Sequence, residues 1–280
     1  MQSPLMPSEV ERLLLEDAPS GDLTTDILGL GASRARITFT ARDAMVVAGI
    51  EVAADMLAMA GLDVTLDISS GHQVASGSRL LSATGSASAT HRVWKPAQTL
   101  VEILSGMATA ARAVVDAARV VDPDASVACT RKTVPGARRL SQLAVTAGGA
   151  VLHRLGLSET VLIFPEHRAF LSDLPLADVL QRARSGAPEK KIAIEVNTVA
   201  EAADAITAGF DIIQLEKFTP VDVAKVVRAG PPAARPLIAA AGGIHPGNAG
   251  DYVKAGAMLL VTSWPYTARP ADVSVRIGPA

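Results

Sequence analysis

Cationic, carboxylate and glycine residues recur at the ends of short apolar runs in the second half of this 280-residue chain. Residues 126–130 lead into Arg131-Lys132-Thr133, and residues 160–164 into Pro165-Glu166-His167-Arg168. The run 192–196 carries Glu195, and the run 211–215 leads into Glu216-Lys217. Residues 236–240 lead into Ala241-Gly242-Gly243, and 258–261 into Thr262-Ser263. His153-Arg154 follows Gly148-Gly149, and Trp94-Lys95 opens a long helical pattern. Arginine and lysine suit anionic groups through charge-assisted hydrogen bonds. A carboxylate in a buried strand is costly unless it has a partner. Paired glycines let backbone N–H groups approach a phosphate. Each piece also has an ordinary reading: Arg131-Lys132 as a solvated turn, Glu195 as an edge-strand residue, Gly242-Gly243 as turn glycines, and His153-Arg154 as a surface turn. Their common place at strand ends favours a site for an anionic, phosphorylated ligand. Cys129 reads as a small buried strand residue, because no catalytic histidine dyad adjoins it.

These side chains need a frame. Helical patterns at residues 176–184, 200–208, 221–228 and 248–255 separate the later apolar runs. Strands spaced by helices imply βαβ units and a parallel sheet. Six such strands form either a barrel or a doubly wound open sheet, and both place ligands beyond the C-terminal strand ends. The first hundred residues read differently. A helix at 7–15 ends in the loop Glu-Asp-Ala-Pro-Ser-Gly-Asp; strands follow at 36–40, 45–48 and 62–68, with a helix at 52–59 and a turn-rich hairpin at 71–77. That is an α+β pattern. A helical stretch at 93–121, interrupted at Gly106, joins the two parts.

Composition bounds the possibilities. With 49% hydrophobic and 19% charged residues the chain builds a sizeable core, which excludes general disorder. A net charge of -2 lacks the basic excess of a nucleic-acid binder. The single cysteine excludes an internal disulfide framework and fits a reducing, cytoplasmic setting. Residues 1–19 are broken by prolines and acidic residues, so no secretory signal is expected, and no run approaches the ~18 apolar residues of a membrane span.

The segment Thr130-Arg131-Lys132-Thr133-Val134-Pro135-Gly136 resembles a motif of the quinolinate phosphoribosyltransferase (nicotinate-nucleotide pyrophosphorylase) family. Glu16-Asp17 with Gly21-Asp22-Leu23-Thr24-Thr25, Ser105-Gly106-Met107-Ala108-Thr109, and Gly148-Gly149 with His153-Arg154-Leu155-Gly156-Leu157 are similar to further family motifs, in the same order. The resemblance implies an amino-terminal α/β sandwich over residues 1–108 and an incomplete α/β barrel of six or so strands over 109–280. It also implies a homodimer or higher homo-oligomer with a shared active site. By motif, Lys95, Arg131, His153 and Arg154 would face an acidic acceptor, Lys95 from a neighbouring subunit. Lys132, Gly242, Gly243 and Ser263 would hold phosphoribosyl pyrophosphate. Glu195 and Glu216 would serve the ribose hydroxyls or Mg²⁺.

Departures from the family pattern stand beside these matches. Phe164 takes the place of a barrel lysine, Glu216-Lys217 that of an Asp-Asn pair, and Ala241 that of a serine before Gly-Gly; Ala239 replaces a glutamate. This set resembles the ModD branch, associated with molybdate transport. The expectation is phosphoribosyl transfer to an anionic, pyridine carboxylate-like acceptor that is less anionic than quinolinate or shaped differently. The alternatives are a non-catalytic anion-binding accessory of molybdate transport and an aldolase-type barrel using Lys132 or Lys217.

Overall fold

A computed structural model describes residues 5–230 and 236–280; the first four residues of the 1–19 segment lie outside the described residues. In chain order the elements begin with α1 (Pro7–Asp17), α2 (Leu23–Ile27), β1 (Arg34–Ala41), β2 (Met45–Val46) and α3 (Ile50–Met59). Then come β3 (Asp63–Leu66), β4 (Gln73–Val74), β5 (Arg79–Ser86) and the long α4 (Ala87–Arg119). The next are β6 (Ser126–Cys129), α5 (Arg138–Ala147), β7 (Val151–Leu152), β8 (Val161–Ile163), α6 (Pro165–Arg168) and α7 (Leu176–Gly186). The last are β9 (Ile192–Val196), α8 (Val199–Ala208), β10 (Ile212–Glu216), α9 (Pro220–Ala229), β11 (Leu237–Ala241), α10 (Ala249–Lys254), β12 (Leu259–Thr262) and β13 (Val273–Pro279).

Two compact units result: Met1–Arg112 with Val134–Gly149 and Thr267–Ala280, and Ala113–Thr133 with Ala150–Tyr266. Where a single change of domain at residue 108 is expected, the chain returns twice to the first unit. The second return has a plain cause: β13 pairs antiparallel with β1 along its length.

The first unit is built on the antiparallel sheet β13-β1-β5-β3. Alternate residues Ala35, Ile37, Phe39 and Ala41 of β1 are buried, as a half-buried strand requires. Helix α3 buries Ile50, Val52, Ala53, Met56 and Leu57, a helical-period stripe. The 71–77 segment is not a hairpin on itself, because Gln73–Val74 pairs with Met45–Val46. Nor does Gly106 interrupt α4. A Cβ there would lie 2.2 Å from the Arg269 carbonyl oxygen, so glycine lets the returning chain lie against the helix.

The second unit is a seven-stranded parallel sheet in the order β7-β6-β12-β11-β10-β9-β8. Starting at β8, that order follows the chain through β12 and then continues into β6 and β7. It never reverses, so this is an incomplete barrel rather than a doubly wound sheet. Its open seam lies between β7 and β8. The seventh strand, β7, has two residues, too short for a periodic pattern to reveal.

Along one face, Glu195 lies opposite Gln214, Gln214 opposite Ala239, and Glu216 opposite Ala241. Ala239, Ala241 and Val261 form a buried cluster on that face with Ile212 and Leu259. Small alanines beside Gln214 and Glu216 leave room for longer polar side chains. The opposite face of the same strands buries Ile192, Ile194, Ile213 and Leu215. Thr198 and Thr219 cap α8 and α9 by accepting from the backbone N–H of Glu201 and Asp222, which turns the chain sharply away from the strand ends.

Candidate active site

The polar rim lies within the second unit, at the C-terminal ends of its strands. Thr130-Arg131-Lys132 follows β6, where Thr130 Oγ1 accepts from Lys132 N at 3.3 Å. The Tyr266 hydroxyl donates to the Thr130 carbonyl at 2.9 Å and anchors the start of this loop. Arg131 is half-buried and Lys132 exposed. His153 and Arg154 follow β7, and His153 N donates to the Cys129 carbonyl at 3.0 Å, continuing the strand pairing by one residue.

Arg154 is only 7% exposed. Its guanidinium lies over the Phe164 ring, 5.4 Å from the centroid, within cation–π range. Phe164 in turn stacks on His167 at 5.8 Å, and its backbone N donates to His167 Nδ1 at 2.9 Å. Phe164 is therefore a platform that holds an arginine. Burial and the nearby Arg131 push the Arg154 pKa down, while Glu195 partly offsets them.

Gln214 is buried and donates through Nε2 to Glu195 Oε2 at 2.6 Å. Burial raises the Glu195 pKa, as do Glu216 and, more weakly, Glu166; Gln214 and Lys132 oppose them. Burial likewise lowers the His153 pKa, followed by the charge of Arg154; interaction with Gln214 opposes this, and Arg131 adds to it. Arg131, Lys132, His153, Arg154, Glu195, Gln214 and Glu216 thus form one electrostatically coupled group. Gln214 is absent from the residues picked out in the sequence. The available signal was a lone amide inside the apolar run Ile-Ile-Gln-Leu, on the same strand face as Glu216.

Gly242 and Gly243 follow β11 with φ of +87° and +75°. A Cβ on Gly242 would lie 2.7 Å from Lys217 Cγ and 3.0 Å from Glu216 Oε1 and Lys217 N. Lys217 is itself left-handed at φ 58°, the single such non-glycine among the described residues, and its N donates to the Ala241 carbonyl at 2.8 Å. The turn from β10 thus nests against the turn from β11. Gly243 is open: nothing lies within 4 Å of its would-be Cβ. Ser263 is half-buried after β12, beside Thr262, whose Oγ1 accepts from Trp264 N.

Lys95 belongs to the first unit. It is exposed, donates to Gln98 at 3.0 Å and lies 4.6 Å from the Trp94 ring centroid. Cys129 is buried and its thiol is pushed up to about 12 by burial, so it is no nucleophile at neutral pH. Lys132 and Lys217 both stand exposed, outside the apolar surroundings that activate a Schiff-base amine. No group of three metal-ligating side chains occurs among the described residues. A Mg²⁺ bound through substrate phosphates needs only one or two protein carboxylates, and Glu195 and Glu216 are near enough to repel each other. A cation between their charges fits this pair.

Two family models match the chain: the quinolinate phosphoribosyl transferase N-terminal domain over residues 22–105 and its C-terminal domain over residues 107–276. A putative pyrophosphorylase ModD of Rhodobacter capsulatus is 50% identical over 237 residues, covering 85% of this chain and 92% of the relative. The nicotinate-nucleotide pyrophosphorylase [carboxylating] of Mycobacterium leprae is 31% identical over 274 residues, covering 95% of each. The crystal structure of NadC from Streptococcus pyogenes superposes with a TM-score of 0.90 at 24% identity over 100% of both chains. No helix among the described residues is long and apolar enough to cross a membrane.

Proposed function

The chain belongs to the quinolinate phosphoribosyl transferase family, and from that premise we propose that it transfers phosphoribose from phosphoribosyl pyrophosphate to an anionic heteroaromatic acceptor, as a member of the ModD branch. Pentosyl transfer is the family's chemistry; the acceptor and the branch-specific role are the proposed part. The observation that carries the reading is the placement of Arg131, Lys132 and Arg154 with Glu195 and Glu216 at the C-terminal strand ends of one parallel sheet.

In this reading, Lys132 and the backbone of Gly242 and Gly243 hold the pyrophosphate and phosphate groups, and Ser263 adds a hydroxyl donor. Glu195 and Glu216 accept from ribose hydroxyls or hold Mg²⁺, which when bound supplies positive charge to the leaving pyrophosphate. Arg131 orients the acceptor by its carboxylate, so that its ring nitrogen faces C1 of the ribose. As the C1–oxygen bond breaks, the electron pair leaves with pyrophosphate. Fixed cations stabilise that growing charge more than they stabilise the ground state. A homo-oligomer in which Lys95 serves a neighbouring copy completes the proposal; the mass of the purified protein in solution tests that part.

A non-catalytic oxyanion carrier fits less well. Glu195 and Glu216 share the rim with the cations and would repel a molybdate dianion. The test is pyrophosphate release with Mg²⁺, phosphoribosyl pyrophosphate and a panel of aromatic acids. Tight molybdate binding, with no binding of the donor, would refute the transferase reading.

A further inference from the structure

The hydrogen bond between Gln214 and Glu195 has a polarity with consequences for its neighbours. An ionised carboxylate only accepts, so the Gln214 end that meets Glu195 Oε2 at 2.6 Å is the amide nitrogen. The other end, Oε1, is then turned away from Glu195. It is buried and has no hydrogen-bond partner among the described residues. A buried orphan acceptor is rare and costly, and calls for a donor within reach. His153 is the neighbour whose ring interacts with the Gln214 side chain, in the sense expected of an N–H directed at a carbonyl.

Burial and the charges of Arg154 and Arg131 favour the neutral imidazole. A neutral imidazole carries one proton, so a ring nitrogen that donates to Gln214 leaves its partner nitrogen as an acceptor. The imidazole is half-buried. The second guanidinium offers little to a ligand: Arg154 is 7% exposed and one face rests on Phe164. Arg131 is the accessible arginine of the group.

We infer that Glu195, Gln214 and His153 form a relay of fixed hydrogen-bond polarity, and that the acceptor is an aromatic monocarboxylate bearing an N–H or O–H donor that meets the unprotonated nitrogen of His153. Arg131 takes its one carboxylate. Gln214 acts through His153 and is a positioning residue. The inference rests on the transferase reading and narrows its acceptor. Transfer needs no decarboxylation in this case: the ring-nitrogen lone pair forms the bond to C1, the C1–oxygen bond breaks, and pyrophosphate carries off the electron pair.

Three acceptors separate the possibilities: 2-aminopyridine-3-carboxylate, pyridine-3-carboxylate and pyridine-2,3-dicarboxylate. Each is assayed with Mg²⁺ and phosphoribosyl pyrophosphate by pyrophosphate release, alongside calorimetry of donor binding. The amino acid analogue should exceed the plain monoacid in kcat/KM by about tenfold, the worth of one hydrogen bond to an unmet buried partner. Gln214→Leu should abolish that ratio, mainly through KM, and Gln214→Asn should restore part of it. A preference for the dicarboxylate overturns the inference. So does an equal fall for both monoacids in Gln214→Leu, or turnover of none of the three while the donor binds. Absence of donor binding would instead overturn the transferase reading itself.

Discussion

Gly242→Ala and Gly243→Ala form a matched pair, because both glycines have positive φ but only one is enclosed. Placing a Cβ residue in the left-handed region costs about 1–2 kcal/mol. That cost applies to both, at φ +87° and +75°. At Gly242 the new methyl would also stand 2.7 Å from Lys217 Cγ and 3.0 Å from Lys217 N and Glu216 Oε1. The Lys217 side chain can swing aside, but its backbone nitrogen is held by the Ala241 carbonyl at 2.8 Å. Forced overpacking of this kind costs a further ~1–3 kcal/mol. Gly242→Ala should therefore be the less stable variant by roughly 1–3 kcal/mol. At about 2–4 °C per kcal/mol for a chain of this order of length, its melting temperature should lie on the order of 2–12 °C below that of Gly243→Ala. Differential scanning calorimetry at fixed scan rate measures the gap. Displacement of Glu216 should also make Gly242→Ala the poorer of the two in Mg²⁺-dependent donor binding. Equal melting temperatures would refute the claim that the two turns are nested.

Phe164→Ala removes the surface under the Arg154 guanidinium. A cation–π contact of this burial is worth ~0.5–2 kcal/mol, so the variant should lose at least about that much stability in denaturant titrations, and an unchanged midpoint would refute the contact. Burial holds the His153 pKa below the ordinary imidazole value of about 6.5. Its unfolded form therefore takes up a proton first, and stability falls as pH drops through about 6.5. His153→Asn should flatten the loss of stability between about pH 7.5 and 5 in denaturant titrations. Glu195 has the opposite displacement, above 4.5. Its charge costs stability as pH rises through the raised value, so Glu195→Gln should stabilise the fold at neutral pH and not at acid pH, while lowering activity. Cys129, the single cysteine, should resist iodoacetamide in the native protein and react only on unfolding, followed by mass spectrometry.

The readable parts of this molecule were those governed by period and punctuation. The runs at 192–196 and 211–215 and the helices between them follow from apolar spacing, and the turns after them carry the ligand-type residues. Short or late elements escaped. Strand β7 is two residues long and takes its place from pairing with β6. Strand β13 pairs with β1, more than two hundred positions away, which no local pattern reports. At the rim, Arg131, Lys132, Glu195 and Glu216 were visible because charge at a strand end is anomalous. Gln214 was not, since its role depends on lying opposite Glu195 across a ladder. The same holds for Phe164. Its identity showed as a missing lysine, but its contact with Arg154 joins strands on opposite sides of the seam.

That seam behaves as a mechanical element. Every other pair of neighbouring strands in the half-barrel is fastened by backbone bonds, whereas β7 and β8 face each other without a ladder. Across the gap, the Arg154–Phe164 contact is a clasp made of side chains. A ladder yields only when several bonds break together, but a clasp opens when one arginine turns. Along this single line the half-barrel is joined by a side-chain contact and by no backbone ladder.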